Sequence, residues 1–488
     1  HYTYSVEKRA YLAGADSLGD ISRTVKGSMQ VAFDDLCSIF YFGEWLRGYF
    51  FRDGSTIFDA IEYSISKKEE IYLKLHEFEN DLNSRLKDYD DDYRLIIYAS
   101  LRQTMAAHKL VQNEKGEAIF ISKECGSNGC AATVDITYPS MPLFLLYAPE
   151  LLKGMMLPIF KFARLPVWPY DFAPHDAGTF PYCLGQTYGL MAYEEKTNSR
   201  LSNQFRRNRQ NGEIVSHPMI YCYPKNSNIY RFDRQMPVEE CANMLIISAA
   251  YLKRTGDRKF LIQNYDLLEK WYRYLLKIGL IPFKQLCTDD FTTTYDKHVN
   301  LAIKAIVGIK SFEIISREIG KEENQAETRK RCEDLSMQFK ETFNGYDFLP
   351  ISFGEKGTFS LKYNFAFDVL FETNIFGEDI TEKEIDCYLA NLNKYGVPLY
   401  SVERLTKSDW LMYVCALTSS KEKQRKIYSR VAKYLRETPD RLPFGDLYYV
   451  DDGTMREFRN RSVQGASFIL LLKDAKLLSE RPEGEKQG

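Results

Sequence analysis

The chain is 488 residues long and 44% hydrophobic, and its 65 Lys and Arg nearly balance 67 Asp and Glu, for a net charge of −2. That balance leaves no basic surface for a nucleic acid or an anionic membrane, and no uninterrupted apolar run reaches the roughly 18 residues a membrane span needs. The ten cysteines are scattered; Cys125 and Cys130 stand close but no second pair follows, so neither a zinc site nor a disulfide framework is expected.

Residues 1 to about 52 alternate aromatic and polar character in places, as in SIFYFGEWLRGYFF, which reads as strands or an extended arm. The opening HYTYSVEKRA has no signal-peptide pattern, and thiols read as buried and reduced point to the cytoplasm. From residue 57 the pattern turns helical, and about twelve helical segments can be placed between residues 90 and 478. Gly256 and Gly320 each follow a basic helix end, and Asp257 stands where the next helix begins. Leu301, Ala305, Gly308, Phe312 and Ile315 fall at spacings of four and three, making one apolar helix face. Phe468, Leu471, Leu472 and Ala475 make another. No period of 34 or 40 residues appears, so a solenoid is not expected. Helix, break, helix with irregular acid-bearing inserts points to an all-α, (α/α)6 toroid over residues 56–478, preceded by an arm or remnant β region at 1–55 and followed by a disordered tail at 479–488.

The stretch from Trp168 to Tyr182, WPYDFAPHDAGTFPY, sets Asp171, His175 and Asp176 among aromatics, prolines and a glycine. Rings supply a stacking surface and acids orient hydroxyls, so Trp168, Tyr170, His175 and Asp176 are expected to hold a polar substrate. Glycosidic hydrolysis needs one carboxylic acid to protonate the leaving oxygen and a second carboxylate to activate water or attack carbon. Glu239 and Glu240 follow Pro237 at a helix start, where acids also complement the dipole. Of Asp289 and Asp290 in CTDDF, one is expected to cap a turn and the other to be the leading acid, with Asp296 as competitor. Asp446 follows Pro443 and Gly445 beside Tyr448 and Tyr449, whereas Asp451-Asp452-Gly453 reads as a turn. Asp409 and Trp410 stand at a helix start that Thr406 or Ser408 could cap, and Lys362, Tyr363 and Asn364 offer ligand hydrogen bonds. No G-x-S-x-G, G-x-G-x-x-G, phosphate-binding loop or H-E-x-x-H occurs, so serine-hydrolase, nucleotide and zinc-protease chemistry are not indicated.

Taken together, ISKECGSNGCAATVDITYPSMPLFLLYAPELLKGM, DFAPHDAGTFPYCLGQTYG, QMPVEECANMLI, QLCTDDF, NLAIKAIVGI, FSLKYNFAFD, KYGVPLYSVERLTKSDWLM and RSVQGA resemble the glutaminase A-like proteins of fungi and bacteria. They cover roughly residues 30 to 475 in the family's order. The resemblance implies a six-hairpin toroid. The chain departs from the family in TTTYDKH after the DDF element, in FGDLYYVDDG, which lacks the usual tryptophan after the aspartate, and in the missing or reduced N-terminal β-sandwich. By analogy with trehalase-like and glucosidase-like toroids, Asp290 resembles the general acid and Asp446 the general base. The expected activity is therefore an exo-acting, inverting glycoside hydrolase on a small or oligosaccharide substrate, without metal or cofactor, with Glu239, Glu240, Lys362, Asn364, Asp409 and Trp410 among its substrate-holding groups. The alternatives are an amidohydrolase releasing ammonia from glutamine, for which no arginine stands out to bind the carboxylate, and a non-catalytic carbohydrate-binding protein.

Overall fold

The computed structural model describes residues 2–4, 12–14, 29–191, 219–440 and 442–479. Its helices, in chain order, are α1 (Ile57–Ser66), α2 (Lys68–Arg85), α3 (Asp91–Ala106), α4 (Val134–Tyr147), α5 (Pro149–Ala163), α6 (Pro237–Thr255), α7 (Arg258–Gln263), α8 (Tyr265–Ile278), α9 (Val299–Glu318), α10 (Glu322–Thr342), α11 (Ala366–Leu370), α12 (Glu378–Ala390), α13 (Ser408–Cys415), α14 (Lys421–Glu437) and α15 (Ile469–Asp474). The termini follow local chemistry. Asp90 accepts the Tyr93 amide at 3.1 Å to start α3, and Pro237 opens α6. As expected, Gly256 ends α6 at φ +72°, and Asp257 then caps α7 through the Phe260 amide at 3.1 Å.

The helices sort into six hairpins, each running from an outer helix to an inner one. The outer set is α3, α5, α8, α10, α12 and α14; the inner set is α4, α6, α9, the segment 363–370 that ends in α11, α13, and the segment 462–474 that ends in α15. Outer helices bury one stripe: in α8 it is Leu267, Leu268, Trp271, Tyr272 and Leu275. Inner helices are buried on every side, from Val134 to Leu146 in α4 and from Pro237 to Leu252 in α6, because neighbours flank them all round. They pack in sequence around a ring, α4 on α6, α6 on α9 and onward, and the 462–474 segment returns to lie against α4. Glycines permit the closest approaches. A Cβ on Gly308 of α9 would stand 2.9 Å from the Ala242 Cα of α6, and one on Gly465 would stand 2.3 Å from the Ser140 carbonyl of α4. Seryl and tyrosyl hydroxyls clasp the closing seam, where Tyr93 donates to the Ser467 carbonyl at 2.7 Å and Ser140 to Ser462 at 3.0 Å.

The ring begins at α3, so the segment expected to open the toroid at residue 56 instead supplies α1 and α2, which bury only Leu82 between them. Strands were expected before residue 52, and β1 (Ile39–Tyr41) and β2 (Glu44–Leu46) form a tight hairpin through Phe42 and Gly43, both at positive φ. These join β3 (Cys130–Ala131), β4 (Gly178–Thr179) and β5 (Tyr182–Cys183) in a sheet of order β2-β1-β5-β4-β3, with Phe40 opposite Tyr182 and Cys130 opposite Thr179. The sheet ties the N-terminal arm to two loops that meet over the N-terminal ends of α4 and α6. The expected disordered tail lies outside the described residues apart from Ser479.

Candidate active site

In each hairpin the outer-to-inner connection precedes an inner helix start, so the connections and the first turns of the inner helices gather at one mouth of the ring. A cavity of about 600 Å³ opens there, lined by Glu124, Asp135, His175, Tyr188, Asp290 and Arg461, with Met236, Phe291, Phe458 and smaller residues between them and Glu457 and Arg459 at the exposed rim. Another cavity, of about 520 Å³ between α3 and α14, has only Arg102 and Asp440 as charged lining groups. Helix N-termini carry partial positive charge, which suits a mouth rich in carboxylates.

Asp290 lies on the wall and accepts a 2.5 Å hydrogen bond from the Tyr188 hydroxyl. Burial raises its pKa to about 6, with the charge of Asp135 adding to the rise and the Tyr188 hydrogen bond opposing it. A carboxyl in that range can carry a proton near neutrality and release it to a leaving group. Asp289 turns away: it accepts from Tyr363 at 2.6 Å, from Trp410 Nε1 at 3.1 Å and from Tyr400 at 3.4 Å, all inside the ring. Adjacent residues thus face opposite ways, as expected, although three buried donors hold the inner one in place of a cap.

His175 also lines the cavity, with its ring stacked on Tyr188 at 4.1 Å. Its Nδ1 meets Asp176 Oδ2 at 2.9 Å and its Nε2 faces Asp135 Oδ1 at 3.6 Å. Burial opposes charge on this ring, yet the hydrogen bond to Asp176 and the nearby charge of Asp135 lift its pKa well above the ordinary value. Asp176 is fixed from behind by the amides of Gly178 at 2.9 Å, Thr187 at 2.8 Å and Tyr188 at 3.1 Å.

Asp446 stands differently from expectation. It is fully buried, is absent from the cavity wall, and gives both oxygens to Arg461, Oδ1 to Nε at 3.2 Å and Oδ2 to Nη2 at 2.5 Å. Arg461 also donates to Glu124 Oε1 at 3.2 Å, and Glu124 does reach the wall. Burial pushes the Glu124 pKa up against the Arg461 charge.

The remaining expected ligand-holding groups lie behind the wall. Trp168 donates Nε1 to the Phe172 carbonyl at 2.9 Å and Tyr170 its hydroxyl to the Tyr230 carbonyl at 3.2 Å, within an aromatic cluster away from the cavity. Glu239 pairs with Lys304, whose ammonium lies 4.1 Å over the Tyr138 ring. Lys362 donates to the Leu349 and Ser360 carbonyls at 3.0 and 3.1 Å, and Asn364 to the Asn300 carbonyl at 3.0 Å. Asp409 meets Lys407 at 2.9 Å, and α13 has no side-chain cap from Thr406 or Ser408. Trp410 stacks on Tyr363 at 3.8 Å and serves Asp289. Glu240 lies beside Asp135 and His175, behind the wall.

Sequence reasoning missed Glu124, Asp135, Tyr188 and Arg461. Glu124 and Asp135 flank KECGSNGCAATVD, whose two glycines and paired small residues already mark a sharp loop before a helix. Arg459 stands at the exposed rim of the same cavity, so an arginine is available to a substrate carboxylate after all.

A ring of six helical hairpins with a polar, carboxylate-lined mouth defines the class of (α/α)6 toroid folds. The chain belongs to the family of the glutaminase A six helical-hairpin domain, whose model matches residues 90–471. It is 30% identical over 405 residues to glutaminase A of Aspergillus oryzae (strain ATCC 42149 / RIB 40), covering 80% of this chain and 52% of that protein. It is 26% identical over 458 residues to a probable glutaminase of Arthroderma benhamiae (strain ATCC MYA-4681 / CBS 112371), covering 81% and 51%. The chain thus spans about half the length of these curated relatives. Among solved structures, it resembles a Streptococcus pneumoniae protein from a family of metal-independent α-mannosidases, in a non-productive complex with α-1,6-mannobiose. The TM-score is 0.52 at 10% identity, over 82% of this chain and 98% of that one, a likeness of fold.

Proposed function

We propose that this domain hydrolyses the glycosidic bonds of a small oligosaccharide, with inversion, using Asp290 as general acid. The observation that carries the reading is Asp290 itself, a cavity-facing carboxyl raised to about 6 and aimed by Tyr188. The water-activating base is a carboxylate clamped by Arg461. Glu124 fits that role better than Asp446, because it reaches the cavity. Phe291 and Phe458, whose rings meet at 5.2 Å, supply an apolar platform of the kind sugar faces pack on. A volume of about 600 Å³ lies within the roughly 300–1,000 Å³ of small-ligand sites.

A second reading has its own support. The curated relatives carry the name glutaminase, and Arg459 at the rim could pair with the carboxylate of glutamine. Parallel screens decide: release of reducing sugar from aryl glycosides and oligosaccharides, against release of ammonia from glutamine. The glycosidase reading expects sugar release that Asp290→Asn abolishes for poor leaving groups and keeps in part for aryl glycosides, which need no protonation. Ammonia release without sugar release sinks it. Inversion is read from the anomer first formed, by proton NMR.

A further inference from the structure

We propose that Asp135, His175 and Glu240 form a binding site for one divalent first-row metal ion, Mn²⁺ or Zn²⁺ in character, at the wall of the cavity. The three come from separate elements: Asp135 from the first turn of α4, Glu240 from the first turn of α6, and His175 from the loop pinned between them. One ligand atom from each lies within 4.8 Å of the others, and all three side chains are buried.

Hydrogen bonding leaves these atoms unspent. Asp135 Oδ1 and Glu240 Oε1 are buried with no hydrogen-bond partner among the described residues, at a cost that a native interior ordinarily avoids. The 3.6 Å from His175 Nε2 to Asp135 Oδ1 is too long for a hydrogen bond. It is close to the roughly 3.4 Å that separates two ligands of one tetrahedral ion with bonds of about 2.0–2.1 Å.

The surroundings of His175 match those of a metal-binding histidine. Such a ring donates its other N–H to a carboxylate, which fixes its tautomer and turns the free nitrogen to the ion. Here Nδ1 meets Asp176 at 2.9 Å, and three backbone amides hold Asp176 in turn. Asp176 is therefore the orienting group. The alternative trio of Cys130, His175 and Asp176 fails because both Asp176 oxygens are already occupied and burial pushes the Cys130 thiol up, away from the thiolate a metal needs. Charge agrees as well: Glu124, Asp135, Asp176, Glu239, Glu240 and Asp290 crowd one region whose basic partners are His175, Lys304 and Arg461. A divalent ion there would displace the His175 proton and offset the carboxylates. Asp135 and His175 also line the cavity, so the ion would sit just behind its wall.

The test uses the 488-residue chain without a metal-binding tag, stripped with EDTA and titrated calorimetrically with Mn²⁺ and then Zn²⁺, with Mn²⁺ avoiding the exposed thiols. The expected result is one ion per chain, Zn²⁺ tighter than Mn²⁺, and a proton released per ion, seen as a buffer-dependent heat. Glu240→Gln weakens binding at least about 100-fold, and Asp176→Asn about 10–100-fold. On Mn²⁺-loaded wild type, electron spin echo modulation shows a directly bound imidazole nitrogen, a readout that needs no variant to fold. Failure of wild type to bind either ion stoichiometrically at millimolar concentration overturns the site. So does Mn²⁺ binding without nitrogen coupling, which would leave His175 as a buried imidazolium paired with Asp135 and Asp176. Neither outcome bears on which bond the domain cleaves.

Discussion

Replacing Asp290 with asparagine removes a titratable proton while keeping a hydrogen-bond acceptor for Tyr188, so it isolates the effect of charge. The folded-state pKa is about 6 against an ordinary 3.8. The folded protein therefore binds this proton more tightly than the unfolded chain. Its contribution is fully present below 3.8 and is lost as pH rises through 6, because the buried site must then hold an anion. A difference of 2.2 units, from 6 minus 3.8, corresponds to at most about 3 kcal/mol. At about 2 °C or less per kcal/mol in a chain of this size, the melting temperature of Asp290→Asn should climb relative to wild type by up to about 6 °C. The rise should occur between about pH 4 and pH 7 and level off above. Scanning calorimetry of both proteins across that range, in matched ionic strength, measures it. A gap that stays constant would mean an ordinary carboxyl. A gap that moves in favour of wild type as pH rises would mean an ion-paired one, and either result removes the physical case for Asp290 as a proton donor.

Tyr188→Phe removes the hydrogen bond that holds Asp290 down, so the falling alkaline limb of the pH–rate profile should move above 6 by up to about one unit. Arg461→Met leaves Glu124 and Asp446 buried without their cation and should cost about 3–5 kcal/mol, read as a lower denaturation midpoint. Lys304→Met should cost a similar amount by stranding Glu239, and adding Glu239→Gln to it should recover most of the loss. Gly465→Ala drives a methyl into the Ser140 carbonyl and should destabilise by at least about 2 kcal/mol, whereas Gly256→Ala, with open space around it, should show only the smaller cost of its positive φ.

The ring was legible because its signals are local. The apolar spacing along α9 and the Gly256-Asp257 break between α6 and α7 each follow from a few consecutive residues. Site residues depend on which way a side chain points after distant loops meet. Asp289 and Asp290 are chemically identical in the sequence, and only the presence of Tyr363, Tyr400 and Trp410 on one side and Tyr188 on the other separates them. The aromatic richness around Trp168 suggested a substrate wall, but those rings satisfy one another, and of the groups expected to hold substrate in that stretch only His175 reaches the cavity. Asp446 was expected as the general base, but Arg461, fifteen residues on, holds it inside the fold. Charge pairing across a loop of that length has no periodicity to reveal it.

The contact between Arg461 and Glu124 spans 337 residues. During synthesis, a chain extended through α14 has five complete hairpins, yet it lacks the segment that meets α4 and the cation that holds Glu124. The site is therefore completed only when the sixth hairpin docks, and the most sequence-distant contacts are made last. The seam between the sixth hairpin and the first, where the 462–474 segment lies against α4, closes the ring. A circular permutant opened at the turn between α9 and α10 would shift the vulnerable joint to the far side of the ring and build the mouth from one continuous stretch of chain.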